Sequence, residues 1–451
     1  MKQILFVCNL FAPANHISAV RPTKIAKYLG QYDDVNISVI AHSDSLKGVA
    51  DQILKDDISD TDVGVEYCKN GSISKIIEFV LEKYNILKKA KENKTHYQPI
   101  VNTSFDANSS RNTGFRKTVF YLLTRMLEWD RAKSLIKVVK RRKQQYDVVI
   151  TFGPNCSDYV GRFLKRKNGN RVIWIADFRD PFKTDTTPKL FQKYADNYAK
   201  RIISSADCIV AVTPGYLKSL NCNEEQKKAV ITNGFDESDI KGITVSPQLN
   251  KKFCLVCVGA LYAGQRKLDP VFKAVKELYE EQKIQIEDIE IDYAGGSESE
   301  LKSVATHFSL EEIVISRGVV TRKESLEMQF GSSALLLPSW NYFKGQDILP
   351  GKFFEFLMTK KPIIAIISGK QNNSYLRTLI ERYNLGVVYE EGDEETTFFV
   401  LKDYILRLYL TWKKNGNTQG IISSNDVEEF AYKNIAKQYY GLIFDQLSYD
   451  L

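Results

Sequence analysis

The sequence predicts an α/β protein built as two nucleotide-type domains, each a parallel sheet with helices on its faces. Three observations carry this. The chain opens on a buried apolar run, Ile4–Cys8, then a loop and a helical stretch, Val20–Leu29. Strand, loop, helix is how such domains begin. The same order starts again at Phe253–Val258, with a glycine-bearing loop behind it. At 451 residues the chain is long enough for two cores of ordinary domain size. The stretch 238–252 reads as a linker, which gives domains 1–240 and 241–425 and a last helical segment, 426–451.

Apolar residues make up 43% of the chain and charged residues 26%, as in a soluble globular protein. No stretch approaches the roughly 20 apolar residues that a membrane-crossing helix needs. Met1–Cys8 has the look of a signal peptide, but Asn9 and Pro13 interrupt it, and it reads better as a strand. The seven cysteines are odd in number, and most lie inside apolar runs (Cys8, Cys208, Cys254, Cys257). They read as reduced, buried thiols of a cytosolic protein. Cys254 and Cys257 are spaced like half a zinc site, but no second pair follows, and in a strand they point to opposite faces.

The elements follow in order. The first loop, Asn9–Ser18, has no glycine, which argues against a dinucleotide oxidoreductase. Val35–Ala41 is the second strand. Residues 44–110 are polar, with one helical pattern at Ile73–Lys91, and Tyr97–Gly114 reads as a loop. Phe115–Gln145 is a long helical pattern with a break expected near Glu128. Residues 111–143 hold eleven Lys and Arg against Glu128 and Asp130, a net +9 where the whole chain carries +8. A basic amphipathic helix suits an anionic membrane surface. With no nucleic-acid module recognisable, membrane is preferred to nucleic acid. A solvated face packed on the core is the equal alternative.

Asp147–Thr151 is a strand, and Arg171–Ala176 is another that ends in Asp177-Phe178-Arg179-Asp180-Pro181. Open α/β sheets keep their sites at such strand ends. An Asp–Arg pair that fixes the loop is the structural alternative. Ala206–Val212 is a strand, and Ala229–Thr232 leads into the turn Asn233-Gly234-Phe235-Asp236. After Phe253–Val258, Gly259 and Gly264 let backbone approach a ligand. Arg266 and Lys267 can neutralise a diphosphate. Ile289–Ala294, Ile313–Ile315 and Ala334–Leu337 are strands, and Thr321–Gln329 is a helix.

The most informative stretch runs from Asp347 to Glu355, with the apolar strand Ile363–Ile367 behind it. Pro350 and Gly351 sit where a helix should begin. The free N–H groups of a helix start, with its dipole, form a site for phosphate. Lys352 adds a charge there, and Glu355 can accept from the vicinal hydroxyls of a ribose. The plain alternatives are a Glu that complements the dipole and an Asp that caps a turn. Val387–Tyr389 is the last strand, and Thr396–Trp412 and Asp426–Leu447 are helical.

Asp347 and Glu355, with seven residues between them that include Leu349-Pro350-Gly351-Lys352-Phe353-Phe354, resemble the donor-site signature of family 4 retaining glycosyltransferases. Asp347 stands where that family usually has Glu. The tip Asp177–Pro181 and the Arg21-Pro22 helix start are similar to relatives that build bacterial surface polysaccharides. The resemblance implies the GT-B fold: two Rossmann-like domains facing a cleft, with the last helix crossing back to the first. It implies Glu355 on the ribose, Asp347 on the donor sugar, Arg266 and Lys267 on the diphosphate, and Gly318 and Val319 at the base. Gly259, Gly264, Leu349, Pro350, Gly351 and Lys352 complete the donor side. His16, Arg21, Arg179 and Asp180 fall on the acceptor side, where Asp177 orients the acceptor or takes its proton. The expected reaction is transfer with retention from a nucleotide-sugar to a glycan or polyprenyl-linked acceptor, by front-face attack. No cofactor beyond the donor and no essential metal is expected. Such an enzyme belongs in the cytoplasm, at the inner face of the membrane. A GT-B module that binds without turnover and a sugar-nucleotide epimerase are the competing readings.

Overall fold

Short apolar runs bounded by turn residues become the strands of two separate parallel sheets. The computed structural model describes residues 1–77, 79, 114–183, 187–240, 251–262, 264–342, 347–418 and 427–444. The chain divides into two units, Met1–Thr232 with Tyr432–Leu451 and Asn233–Ala431.

The first unit holds β1 (Lys2–Cys8), β2 (Val35–His42), β3 (Gly64–Cys68), β4 (Val148–Gly153), β5 (Ile173–Phe178), β6 (Cys208–Ala211) and β7 (Lys227–Val230). Their order is β3-β2-β1-β4-β5-β6-β7, every pair parallel. Alternate residues of β1 enter opposite apolar layers, Ile4, Phe6 and Cys8 on one face and Leu5 and Val7 on the other. A sheet covered on both faces requires this near-continuous apolar pattern.

The second unit repeats the plan with β8 (Phe253–Val258), β9 (Ile289–Ala294), β10 (Val314–Ser316), β11 (Ala334–Trp340), β12 (Ile363–Ser368) and β13 (Gly386–Glu390). The order is β10-β9-β8-β11-β12-β13, again all parallel. The strand order reverses between β8 and β11, and ligands bind at the carboxyl ends of strands flanking such a point. Cys257 faces one core layer and Cys254 packs at the other, as the strand alternation requires. All seven cysteines are free.

Some expectations need correction. The helix Gly114–Arg142 runs through Glu128 without a break. Glu128 takes Arg125 Nη2 at 2.7 Å, and Asp130 accepts the Ser74 N–H and hydroxyl at 2.8 and 2.7 Å. The backbone stays helical through both acids, and Glu128 Oε2 is buried with no hydrogen-bond partner among the described residues. The first helix is Ile17–Leu29, longer than expected because His16 caps it by accepting from Ser18 N. In the polar stretch 44–110 the structure adds the helix Gln52–Ser59 and the edge strand β3. The helical pattern at Ile73–Lys91 is helical where described, and its remainder and the loop Tyr97–Gly114 lie outside the described residues, Gly114 excepted. Most of the linker, 241–250, also lies outside them.

The last helix, Tyr432–Ile443, belongs to the first unit. Tyr440 stacks on Tyr32 with centroids 4.3 Å apart, and its hydroxyl donates to Asp34 at 2.6 Å. No helix among the described residues is long and apolar enough to cross a membrane.

Candidate active site

The carboxyl edge of the second sheet gathers most of the residues expected on the donor side. Gly259 follows β8 with φ +115°, Gly318 follows β10 with φ +68°, and Gly264 has φ +83°. These values favour glycine. Gly259 N donates to Ala294 O and Gly295 N to Gly318 O, both at 2.8 Å, which ties three strand ends together. Val319 beside them is 68% exposed, an apolar edge open to a flat ring.

Arg266 lies at the reversal point. Its guanidinium carbon is 4.6 Å from the Tyr262 ring centroid and 4.9 Å from that of Trp340 at the end of β11. Nη1 donates to Ala260 O at 3.1 Å, and Nε, buried, has no partner. Burial pushes the pKa of this group down, and the Tyr262 hydroxyl pulls the other way. Guanidinium stays charged under such shifts. A cation held between two aromatic faces with a donor unspent is poised for an anion.

Lys267 is placed differently. Its ammonium pairs with Glu391 at 2.5 Å, and Glu391 also accepts Gly369 N at 2.7 Å. This hydrogen bond is the main cause raising the Lys267 pKa, against some burial. Adjacent cations in one loop therefore take separate jobs, Arg266 in the aromatic clamp and Lys267 on β13's following turn.

The helix Gly351–Thr359 starts after Pro350, with no side-chain cap and no acid in its first turn. Phe353, Phe354 and Leu357 bury its inner face, and Leu349 packs at the same layer. Glu355 is 15% exposed and accepts from Lys352 Nζ at 2.7 Å and Gln329 Nε2 at 3.3 Å. Burial pushes its pKa up, but the Lys352 and Arg322 charges more than reverse this and leave it below the usual value. Glu355 is thus an ionised acceptor in a half-dry setting. Asp347 enters this stretch in the left-handed region, φ +40°.

The first unit corrects the acceptor-side expectation. Asp177 is fully buried and Arg21 is 1% exposed. Arg21 Nε and Nη2 donate to the two Asp177 oxygens at 2.7 and 3.3 Å, and Nη2 also reaches Ile231 O at 2.9 Å. The remaining contacts are Thr232 O and the Tyr439 hydroxyl, the latter at 3.0 Å. Burial lowers the Arg21 pKa, and Asp177 more than offsets it. A carboxylate so enclosed cannot take an acceptor's proton, so Asp177 and Arg21 act as a lock on the last helix.

His16, Arg179 and Asp180 stay near the surface of that sheet's carboxyl edge. Ser18 N donates to His16 Nδ1 at 3.1 Å, which leaves the proton of the neutral ring on Nε2. Burial and then Arg179 lower the His16 pKa. Arg179 Nη1 donates to Ser18 O at 3.3 Å, and Asp180 is exposed, its carbonyl accepting from Tyr216.

Sequence reasoning missed Tyr262, Trp340, Gln329, Arg322 and Glu391. Tyr262 precedes Arg266 by four residues, the one local signal. Elsewhere in the second unit, Cys254, Glu290 and Asp292 come close enough to share an ion, at the wall of a groove of about 1170 Å³. Arg317 already holds both Asp292 oxygens at 2.7 and 2.9 Å.

No protein-family model matches the chain, and no curated protein matches it in sequence. Solved structures match its fold over nearly its whole length. The apo lipopolysaccharide outer core galactosyltransferase WaaB is 14% identical, with a TM-score of 0.55 over 99% of this chain and 100% of that one. An E. coli trehalose-6-phosphate protein bound with UDP-2-fluoro glucose is 11% identical, with a TM-score of 0.60 over 99% of each. A protein described as a UDP-N-acetylglucosamine 2-epimerase from Listeria monocytogenes is 12% identical, with a TM-score of 0.51 over 99% and 98%. With its two Rossmann-like units and these likenesses, the chain has the GT-B fold.

Proposed function

We propose that the protein is a retaining glycosyltransferase that moves a sugar from a nucleoside-diphosphate donor to a glycan or polyprenyl-linked acceptor, in surface-polysaccharide synthesis. The observation that carries this is the carboxyl edge of the second sheet. There an aromatic-clamped Arg266, an uncapped helix start at Gly351 and an ionised, half-buried Glu355 sit on elements flanking the reversal point. Glu355 accepts from the two ribose hydroxyls. Arg266, Lys352 and the N–H groups near Gly351 hold the diphosphate. The base lies on Gly318 and Val319, and Asp347 takes hydroxyls of the donor sugar.

The reaction breaks the bond between the sugar's anomeric carbon and the diphosphate oxygen. Charge grows on that oxygen, and prearranged donors aimed at it lower the barrier. The acceptor oxygen bonds to the anomeric carbon on the face the diphosphate leaves, and its proton passes to the departing diphosphate. No group on the chain has to become covalently attached, and no metal enters the step. On the first unit, His16 and Arg179 are the surface candidates for holding the acceptor.

The test incubates the protein with UDP-, GDP- and dTDP-sugars and a mixed glycan acceptor, and follows the anomeric protons by NMR. Release of nucleoside diphosphate that requires acceptor, with the donor's anomeric configuration in the product, is expected. The second reading is an epimerase, favoured by the similarity to the Listeria protein. A donor sugar changed with no acceptor present would establish it in place of transfer.

A further inference from the structure

The helix Glu394–Asn415 of the second unit is apolar on both of its faces. Leu401, Ile405, Leu408 and Trp412 turn inward and bury in that unit's core. On the outer face Phe399, Val400 and Leu410 are 70%, 51% and 53% exposed. A surface helix ordinarily carries one apolar stripe, with polar residues opposite. Phe399, Asp403, Leu406 and Leu410 follow in steps of three and four residues, which lines them along the outer face. Val400 and Arg407 flank that line. Exposed apolar side chains scattered singly are ordinary, but a contiguous group marks a docking surface.

The charges on the helix decide what docks. Lys402 spends its ammonium on Glu277 and Glu281 at 2.7 and 2.6 Å, and Lys413 on Asp288 at 2.6 Å. All three acids belong to the same unit. Asp403 and Arg407 are exposed, and neither has an ion-pair partner among the described residues. The Arg407 guanidinium carbon lies 4.9 Å from the Tyr404 ring centroid.

Asp403 and Arg407 stand at equal distances on either side of Ile405 in the chain. A second copy of the helix, turned end for end about the level of Ile405, brings its Arg407 opposite Asp403 and its Asp403 opposite Arg407. The same turn lays Phe399 against Leu410 of the other copy, and Val400 against Thr411, each twice over. Parallel pairing would instead set Asp403 against Asp403 and Arg407 against Arg407, which repel. A face that meets its own charges with the opposite sign, and its own apolar groups with apolar groups, is what a two-fold contact requires. We propose that the protein forms a two-fold homodimer by antiparallel pairing of this helix with its copy. The inference goes beyond the donor-site reading, since none of these residues is placed in that site.

Sedimentation equilibrium of the full chain tests it. One helix pair makes a small interface, so the mass should move from monomer to dimer as concentration rises through the micromolar range. Asp403→Arg and Arg407→Asp each set like charges face to face, and each should weaken the dimer at least about tenfold. Mixed together, the two single variants restore opposite charges at both contacts, and a mixed dimer forms at near wild-type strength. Asp403→Arg combined with Arg407→Asp in one chain recovers the dimer as well. Misfolding would give neither rescue. Phe399→Ser with Leu410→Ser lowers association at least about tenfold. A monomer at every concentration up to about 100 μM would overturn the proposal. A dimer indifferent to the charge variants, or single variants that fail to rescue each other, would overturn it too.

Discussion

At the residue scale, the pairing of Lys267 with Glu391 is the feature most open to test. The two side chains are 41% and 34% exposed, so water already weakens their attraction. Glu391 and a donor diphosphate would compete for the same ammonium. Glu391→Gln removes the competing charge and frees Lys267. Pairs this exposed contribute about 0.2–1 kcal/mol, so diphosphate binding should tighten by roughly one and a half- to fivefold. Titration calorimetry with nucleoside diphosphates reads it, and unchanged or weaker binding would show that Lys267 has no part in the donor site. The two cations were visible in the sequence, and the division between them was not. Glu391 lies 124 residues beyond Lys267, and Trp340 comes from another strand. Such partners meet only because parallel strands bring distant turns to one edge.

At the scale of an element, the helix Cys156–Asn168 stakes its start on one buried acid. Asn155 and Asp158 form its capping box, and Asp158 also accepts Thr151 Oγ1 at 3.0 Å. Burial raises the Asp158 pKa from 3.8 to about 7. A carboxyl raised on folding adds stability that is fully present below about 3.8 and is lost as pH climbs through about 7. Asp158→Asn cannot ionise, so its melting temperature relative to the wild type should rise between those two values. Parallel melting curves across that window would contradict the assignment. Elements of this kind were unevenly legible. The central strands could be read because both faces are buried, which writes an unbroken apolar run. Edge strand β3 mixes Val65 and Tyr67 with Glu66 and has little buried surface to announce it. The break expected at Glu128 failed because Glu128 pairs with Arg125 one turn back on the same helix and Asp130 accepts from distant Ser74, contacts that leave the backbone helical.

For the whole molecule, the decisive polar cluster of the first unit is Arg21 with Asp177, Tyr439 and the carbonyls after β7. It ties the chain's first helix to its last. Asp177→Ala leaves a buried guanidinium unpaired and should lower stability by about 3–5 kcal/mol. Arg21→Met with Asp177→Leu should recover part of that loss. Urea denaturation compares the three. An Asp177→Ala protein of wild-type stability that had lost transfer would instead return the carboxylate to the reaction. The two-domain α/β plan and its starting strands at Ile4 and Phe253 were plain from patterning. The lock was not, because Asp177 at a strand's carboxyl end reads the same in sequence whether it faces a substrate or a neighbouring helix.

The central claim is that the second unit binds a nucleoside-diphosphate sugar through Glu355, and calorimetric titration tests it most directly. Uridine, guanosine and thymidine diphosphates, and the matching monophosphates, would be titrated into the wild type and Glu355→Ala. One base should bind, its diphosphate more tightly than its monophosphate. Loss of a charged hydrogen-bond acceptor is worth about 1.5–3 kcal/mol, so Glu355→Ala should weaken that binding by roughly ten- to 150-fold. Equal binding by the two proteins, or none to any nucleotide, would contradict the account.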